Sequence, residues 1–349
     1  MSKRIASVVE LVNGVWGDPA LYVDYPDRDN ALLFDAGDVA ALPKDRLADL
    51  DAVFLTHHHA DHFTDLDRVV RANLDADKTL SIFGPAETIN RVYERIRSYA
   101  HSYFPFQKLV LRLTEIVDDR CETATLHYQE RFPPPQRQTA AFAPGDVIFE
   151  NQTVRIRAAP TQHTVPGLAY GLEEKHGFRF RYDKLAKSQL CDGPWIAELI
   201  RRWSEHQSVD DQDESPTGDP NPSLTIESGR FSLKTLADRF LQTAGGYRIG
   251  WVVDTRVDGP IGDELANLVR GMDHLFLDHF YADAQLAAAK KHQHLTTGEA
   301  LAFAATNNVQ SVTPVHHSGR YRYRGDRLIR EIREHADRLN VRLTPAESS

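Results

Sequence analysis

Three observations lead to the expectation of an α/β domain carrying an inserted arm. Short runs rich in Val, Ile, Leu and Phe alternate with stretches whose apolar residues recur at helical spacing. Those apolar runs repeatedly end on a His or an Asp. One stretch, residues 171–246, breaks the alternation over a length that no ordinary connection in a compact domain requires. Hydrophobic content of 41% and charged content of 26% are ordinary for a globular protein, so neither a disordered nor a membrane-spanning chain is expected. The N-terminal segment lacks the apolar run of a secretory signal, and a cytoplasmic location without membrane association follows as the default.

In chain order, residues 5–12, 20–25 and 31–34 read as strands, the last two joined by the hairpin chemistry of residues 26–30. A short helix after Pro43 leads to the apolar run Ala52-Val53-Phe54-Leu55. A helix is expected from Asp61, with Leu66, Val69 and Val70 on one stripe. Residues 80–85 are a strand and turn, and 87–100 a helix carrying Ile89, Val92, Tyr93 and Ile96. Strands alternate over 107–160, with a loop at 131–135 and a hairpin turning at Asn151-Gln152. Within the arm, a helix is expected near 195–203 and a flexible acidic segment over 207–222. The strand 249–255 resumes the core. It is followed by a helix over 262–269, a strand 275–277, helices over 283–291 and 297–307, a strand 311–315 and a basic amphipathic helix.

Thr56-His57-His58-His59-Ala60-Asp61-His62 stands at the mouth of the strand 52–55, and strand ends further along present His163, Asp254 and His316. Nitrogen and oxygen donors without thiolate suit Zn²⁺, with Mn²⁺ or Fe²⁺ as competitors. His57 and His59 converge on one ion, Asp61 and His62 point to a second, and Asp254 can bridge the two. The two cysteines, Cys121 and Cys191, have no partner at metal-ligand spacing. His58, His101, His127, His176 and His206 read as ordinary loop or surface histidines. A formal charge of −9 argues against indiscriminate coating of nucleic acid and leaves room for a local anion site.

The motif His57-His58-His59-Ala60-Asp61-His62 resembles the HxHxDH signature of the metallo-β-lactamase superfamily, with His163, Asp254 and His316 at its later ligand positions. The resemblance implies an αββα sandwich with two metals at one edge. Segments 163–171, 192–194, 292–297 and 316–321 are further similar to ribonuclease Z, the endonuclease family that trims transfer-RNA precursors. The chain departs from it at 12–19, where that family has a glycine-rich strand and turn, and at Asp278, where it has Glu.

What the resemblance implies is hydrolysis of a phosphodiester, with a precursor transfer RNA as partner and a homodimer as the assembly. Asp61 would orient the nucleophile, His294 would protonate the leaving oxygen and Asp278 would hold the His294 ring. Ser318, Arg320 and Tyr321, together with Gly193 and Pro194 of the arm, would contact substrate, and the arm would serve as an exosite or, alternatively, as a dimerisation or partner-docking element. Arg322, Arg324, Arg327, Arg330 and Arg333 read as the solvated face of the last helix, with Glu331 and Glu334 as partners. A phosphodiesterase acting on a small ester or cyclic nucleotide, and a catalytically silent RNA-binding module, are the rival readings.

Overall fold

The computed structural model describes residues 8–25, 30–99, 106–175, 177–209, 222–226, 229–244, 246–323 and 325–344. The expected hairpin turn at 26–29, most of the acidic segment (210–221), residues 5–7, His101, His176 and Arg324 lie outside them.

Strands β1 (Val8–Leu11), β2 (Leu21–Tyr25), β3 (Asn30–Phe34), β4 (Leu50–Phe54), β5 (Thr79–Pro85), β6 (Val110–Val117), β7 (Arg120–His127) and β8 (Gln138–Ala141) form one sheet in sequence order. Pairing is antiparallel at its two ends and parallel from β3 to β6. Then come β9 (Val147–Glu150), β10 (Val154–Thr161) and β11 (Gly167–Glu174), and the arm strands β12 (Gly177–Phe180), β13 (Ser223–Ile226), β14 (Gly229–Ser232) and β15 (Leu241–Ala244). The chain ends with β16 (Arg248–Val252), β17 (His274–Asp278) and β18 (Val312–Val315). A second sheet has the order β18-β17-β16-β11-β10-β9, with β16, β17 and β18 parallel.

Period-two alternation explains the layering. In β3, β4 and β5, Leu33, Val53 and Ile82 join a core with Leu47, Val69, Val70, Ile89 and Val92 from helices Lys44–Ala48, Leu66–Asn73 and Thr88–Arg97. Their neighbours Phe34, Phe54 and Phe83 point the other way. The Phe34 and Phe54 rings stack at 5.0 Å and meet Tyr170 of the second sheet at 6.0 and 5.5 Å. The second sheet repeats the pattern: Val252, Leu275 and Leu277 pack against helices Gly259–Val269, Thr297–Thr306 and Gly325–Leu339. Trp251 and Phe276 occupy the opposite face, in contact at 5.9 Å. Helices, sheet, sheet and helices make the αββα sandwich.

Two local departures have physical causes. The helix expected from Asp61 is two, Ala60–Phe63 and Leu66–Asn73. Asp65 breaks it by turning its carboxylate to accept from the Val39 amide at 3.0 Å while its own amide donates to Ala36. The arm helix spans Trp195–Val209, so residues 207–209 of the acidic segment are its last turn.

Residues Phe149–Arg155 and Glu173–Arg248 belong to a compact unit of their own. Leu199, Trp203, Leu224, Leu233, Leu236 and Phe240 form its core. Gly193 and Pro194 open its longest helix, their carbonyls accepting from the Ile196 and Glu198 amides. The expected hairpin turn is there too, with Asn151 Oδ1 accepting from the Thr153 and Val154 amides at 2.8 and 2.9 Å.

His274 opens β17, stacked on Phe276 at 4.5 Å and paired through Nε2 with the Thr313 hydroxyl at 2.8 Å. Burial, helped by Arg342, pushes its pKa down from 6.5 to about 4. Between those values the unfolded chain holds more protons than the folded one. Stability is therefore expected to fall as pH drops from 6.5 to 4, by at most about 1.4 kcal/mol per pH unit from this group. Urea midpoints measured at pH 7 and 5 check this: the difference should shrink in His274→Asn, and an unchanged difference would clear His274 of any part in it.

Candidate metal centre

Every donor expected from the sequence sits where a strand of the sandwich releases the chain. His57, His59, Asp61 and His62 follow β4, His163 follows β10, Asp254 follows β16 and His316 follows β18. His57 Nε2 and His59 Nδ1 lie 2.9 Å apart, and His163 Nε2 is 3.3 Å from His59 Nδ1. Donors about 2.0–2.1 Å from a tetrahedral ion stand about 3.3 Å from one another, so these three nitrogens have the spacing of ligands around one cation. A second group joins Asp61, His62 and His316: Asp61 Oδ2 is 3.8 Å from His62 Nε2 and 3.5 Å from His316 Nε2. Asp254 Oδ2 serves both, at 3.4 Å from His57, 3.5 Å from His163 and 3.6 Å from His62.

The polar atoms left over agree with this. Among the described residues, His62 Nε2, Asp254 Oδ1, Asp278 Oδ1 and His316 Nδ1 are buried without an aligned hydrogen-bond partner, although His316 Nδ1 lies 2.6 Å from Asp254 Oδ1. Buried polar groups are normally satisfied, and a concentration of exceptions marks a place that takes a ligand. Burial, reinforced by His62, pushes His57 down to about 2, and burial also lowers His163, keeping both imidazoles neutral as cation ligands must be. At Asp254 burial opposes ionisation, yet His316 and His62 hold its carboxyl well below the usual range. At His316 burial is likewise outweighed, by Asp254, and the imidazole is raised well above its ordinary value, so a cation binding there would displace its proton. The donor set fits divalent metal ions.

Asp254 and His316 share an uncommon backbone. Their φ angles are +50° and +58°, and Asp35, at the end of β3, has +59°. Left-handed conformations at non-glycine residues cost about 1–3 kcal/mol each and gather where a site over-determines the chain. All three turn a side chain sharply off a strand end.

Asp35 went unread in the sequence as a site residue. Its Oδ1 accepts from the Thr56 amide at 2.7 Å, and its Oδ2 accepts from Trp251 Nε1 at 2.9 Å and faces His62 Nδ1 at 3.0 Å. It thereby fixes which His62 nitrogen faces the donors. The available signal was the same one used for Asp254, a carboxylate closing an apolar strand. Gly37 is a second omission: a Cβ there would fall 1.8 Å from the Asp61 carbonyl oxygen, so only glycine lets the two backbones meet.

Beside the donors lies His294, which is buried rather than solvated at a helix start. Its Nδ1 is 3.0 Å from Asp278 Oδ2, and its ring stacks on Phe280 at 4.1 Å. Burial disfavours its charge, but Asp278 more than compensates and raises its pKa. His58 points away, Nε2 to the Thr88 hydroxyl at 2.9 Å. Ser318 is buried. Arg320 is exposed, its guanidinium 5.0 Å over the Tyr281 ring and bonded to Gln285 Oε1. The Tyr321 hydroxyl donates to the same Gln285 oxygen and accepts from the Ala282 amide, which makes it a brace for the 280–285 loop. Arg327, Arg330 and Arg333 lie on the exposed face of the last helix, as expected.

A family model described as the β-lactamase superfamily domain matches residues 26–184. Ribonuclease Z of Deinococcus radiodurans is 25% identical over 319 residues, covering 87% of this chain and 91% of that protein. Two crystal structures share the fold. The short form of human tRNase Z has a TM-score of 0.52 and 15% identity, covering 90% of this chain and 93% of its own. Unliganded yeast PDE1 has a TM-score of 0.54 and 10% identity, covering 97% and 96%. In its sandwich, its strand-end donors and these matches, the chain is similar to the metallo-β-lactamase superfamily.

Proposed function

We propose that the chain is a metal-dependent phosphodiesterase that cleaves transfer-RNA precursors near their 3′ ends. The observation that carries this reading is the pair of donor groups sharing Asp254, with the His294–Asp278 pair at their side. The relatives named ribonuclease Z and tRNase Z support the choice of RNA.

His57, His59 and His163 would hold one ion, Asp61, His62 and His316 the other, and Asp254 both. Zn²⁺ is the choice for an N and O donor set of this kind, with Mn²⁺ or Fe²⁺ as substitutes. When bound, the ions supply Lewis acidity toward the phosphoryl oxygens and a water nucleophile at neutral pH. Asp61, its side chain 43% exposed, accepts a hydrogen bond from the attacking water and aims it at phosphorus. Asp278 engages His294 Nδ1, leaving Nε2 as the ring atom that donates a proton to the departing ribose oxygen. Arg320 offers phosphate a charge from the rim of the site. Ser318 shapes the turn after His316, and Gly193 and Pro194 set the start of the arm helix, whose unit we take as the exosite. The resemblance to ribonuclease Z further suggests a homodimer. No helix among the described residues is long and apolar enough to cross a membrane, and we take the cytoplasm as the compartment.

The test is the metal content of the purified protein together with cleavage of a 3′-extended transfer RNA, with Asp61→Ala as control. Bound metal without RNA cleavage would turn the reading to small phosphodiesters, and no metal would sink it. His294→Ala is expected to lower kcat on RNA by about 10²–10⁴ with metal content intact. Unchanged turnover would remove His294 from the chemistry.

A further inference from the structure

We propose that Arg256 is a positioning residue that sets the place of His294 relative to the donors. The inference rests on the acid role of His294 argued above and names the group that holds it there.

Arg256 stands two residues beyond Asp254, with its side chain 3% exposed. Its Nε donates to Asp258 Oδ2 at 2.9 Å. Nη1 donates to the His294 carbonyl at 2.9 Å and to Glu299 Oε2 at 2.8 Å. Nη2 donates to Glu299 Oε1 at 2.7 Å and to Asp258 Oδ2 at 2.8 Å. These bonds use all five guanidinium N–H groups. No donor is left for a phosphate, so the residue cannot act by gripping substrate. Its charge is balanced within the fold by Asp258 and Glu299, as a buried guanidinium requires.

The carbonyl it holds belongs to a short connection whose other backbone bonds are the His294 amide to the Ala289 carbonyl and a single bridge between Thr296 and Tyr281, so the arginine adds the tie on the side of the Asp254 loop. His294 falls between helix Leu286–His292 and helix Thr297–Thr306, just after Gln293, whose φ is +60°. Glu299 extends the link. Its carboxylate also accepts from the Thr296 amide at 3.0 Å, and its own amide donates to the Thr296 hydroxyl, a reciprocal cap on the next helix. The Arg256 amide meanwhile donates to the Gln162 carbonyl at 3.0 Å, next to His163. One residue thus ties together the loops bearing Asp254, His163 and His294. A lysine has three donors on a single nitrogen and cannot span the same acceptors.

The experiment uses the metal-loaded protein and a series of thymidine 5′-aryl phosphates whose leaving phenols range from weakly to strongly basic. A p-nitrophenolate departs without a proton, whereas a basic phenolate needs one, so an acid residue shows itself as a leaving-group dependence. Arg256→Gln is expected to lower kcat about tenfold to a hundredfold on the most basic leaving group and less than about threefold on p-nitrophenolate, with KM and metal content unchanged. Arg256→Lys should fail to rescue it, and Glu299→Gln should reproduce the dependence in weaker form. Hydrogen exchange supplies a readout independent of turnover: amides of residues 294–299 should lose protection in Arg256→Gln. If Arg256→Gln folds poorly, Glu299→Gln carries the test alone. Parallel losses on every ester, beside a leaving-group dependence in His294→Ala, would overturn the role of Arg256 and leave the acid standing. If His294→Ala itself shows no leaving-group dependence, the acid assignment fails first and takes this inference with it.

Discussion

Asp254→Asn is expected to strip metal from the protein and to cut kcat/KM by about 10²–10⁴, the scale on which a preorganised charge or acid–base group acts. The side chain keeps its shape, so the packing around it should survive. What changes is the second oxygen. Oδ2 lies within 3.4–3.6 Å of nitrogens from both donor groups, and Oδ1 faces His316 Nδ1 at 2.6 Å. An amide can present one oxygen to one of these sets and must turn an NH₂ toward the other, where it neither ligates nor balances charge. Metal stoichiometry by mass spectrometry and turnover on a 3′-extended transfer RNA check the result, with His58→Ala as a control. His58 is spent on Thr88 and its removal should change neither quantity. A fully metallated and active Asp254→Asn protein would mean that the two groups do not share a carboxylate.

What could be read in the sequence and what could not divides along chain separation. His57, His59, Asp61 and His62 fall within six positions, so their density shows before any fold is known. His163, Asp254 and His316 showed because each closes an apolar run, and strand ends are where a sandwich displays its site. The supporting groups gave no comparable sign. Trp251 reaches Asp35 across 216 residues, and Arg256 reaches Glu299 across 43, pairings fixed only when the two sheets and their loops are assembled. The arm stands apart by its length, but its core around Leu199 and Phe240 leaves no mark in the sequence, because a heterogeneous composition hides short elements. Nor does a residue name reveal φ: that Asp35, Asp254 and His316 all take left-handed backbone is a property of how tightly the site is packed.

Asp35→Ala is expected to cost about 3–5 kcal/mol of stability and to weaken metal binding about 10- to 100-fold, although Asp35 belongs to neither donor group. The Asp35 side chain is 0% exposed, so every bond it makes lies inside the fold. Removing it orphans the Thr56 amide and the Trp251 indole N–H and leaves His62 Nδ1 with only the Thr56 hydroxyl at 3.2 Å, and each buried donor left unmet costs about 1–3 kcal/mol. Thr56 precedes the histidine motif in the first sheet and Trp251 lies in β16 of the second, so one carboxylate also clamps the two sheets at the edge where the donors emerge. Asp35→Asn should be nearly as damaging, since its NH₂ would confront at least one of the same donors. Urea unfolding gives the first quantity and zinc titration of the folded variant the second. Lower stability with unaltered zinc affinity would confine Asp35 to the fold. A loss of affinity beyond what unfolding explains would show that the centre depends on how its His62 ring is held.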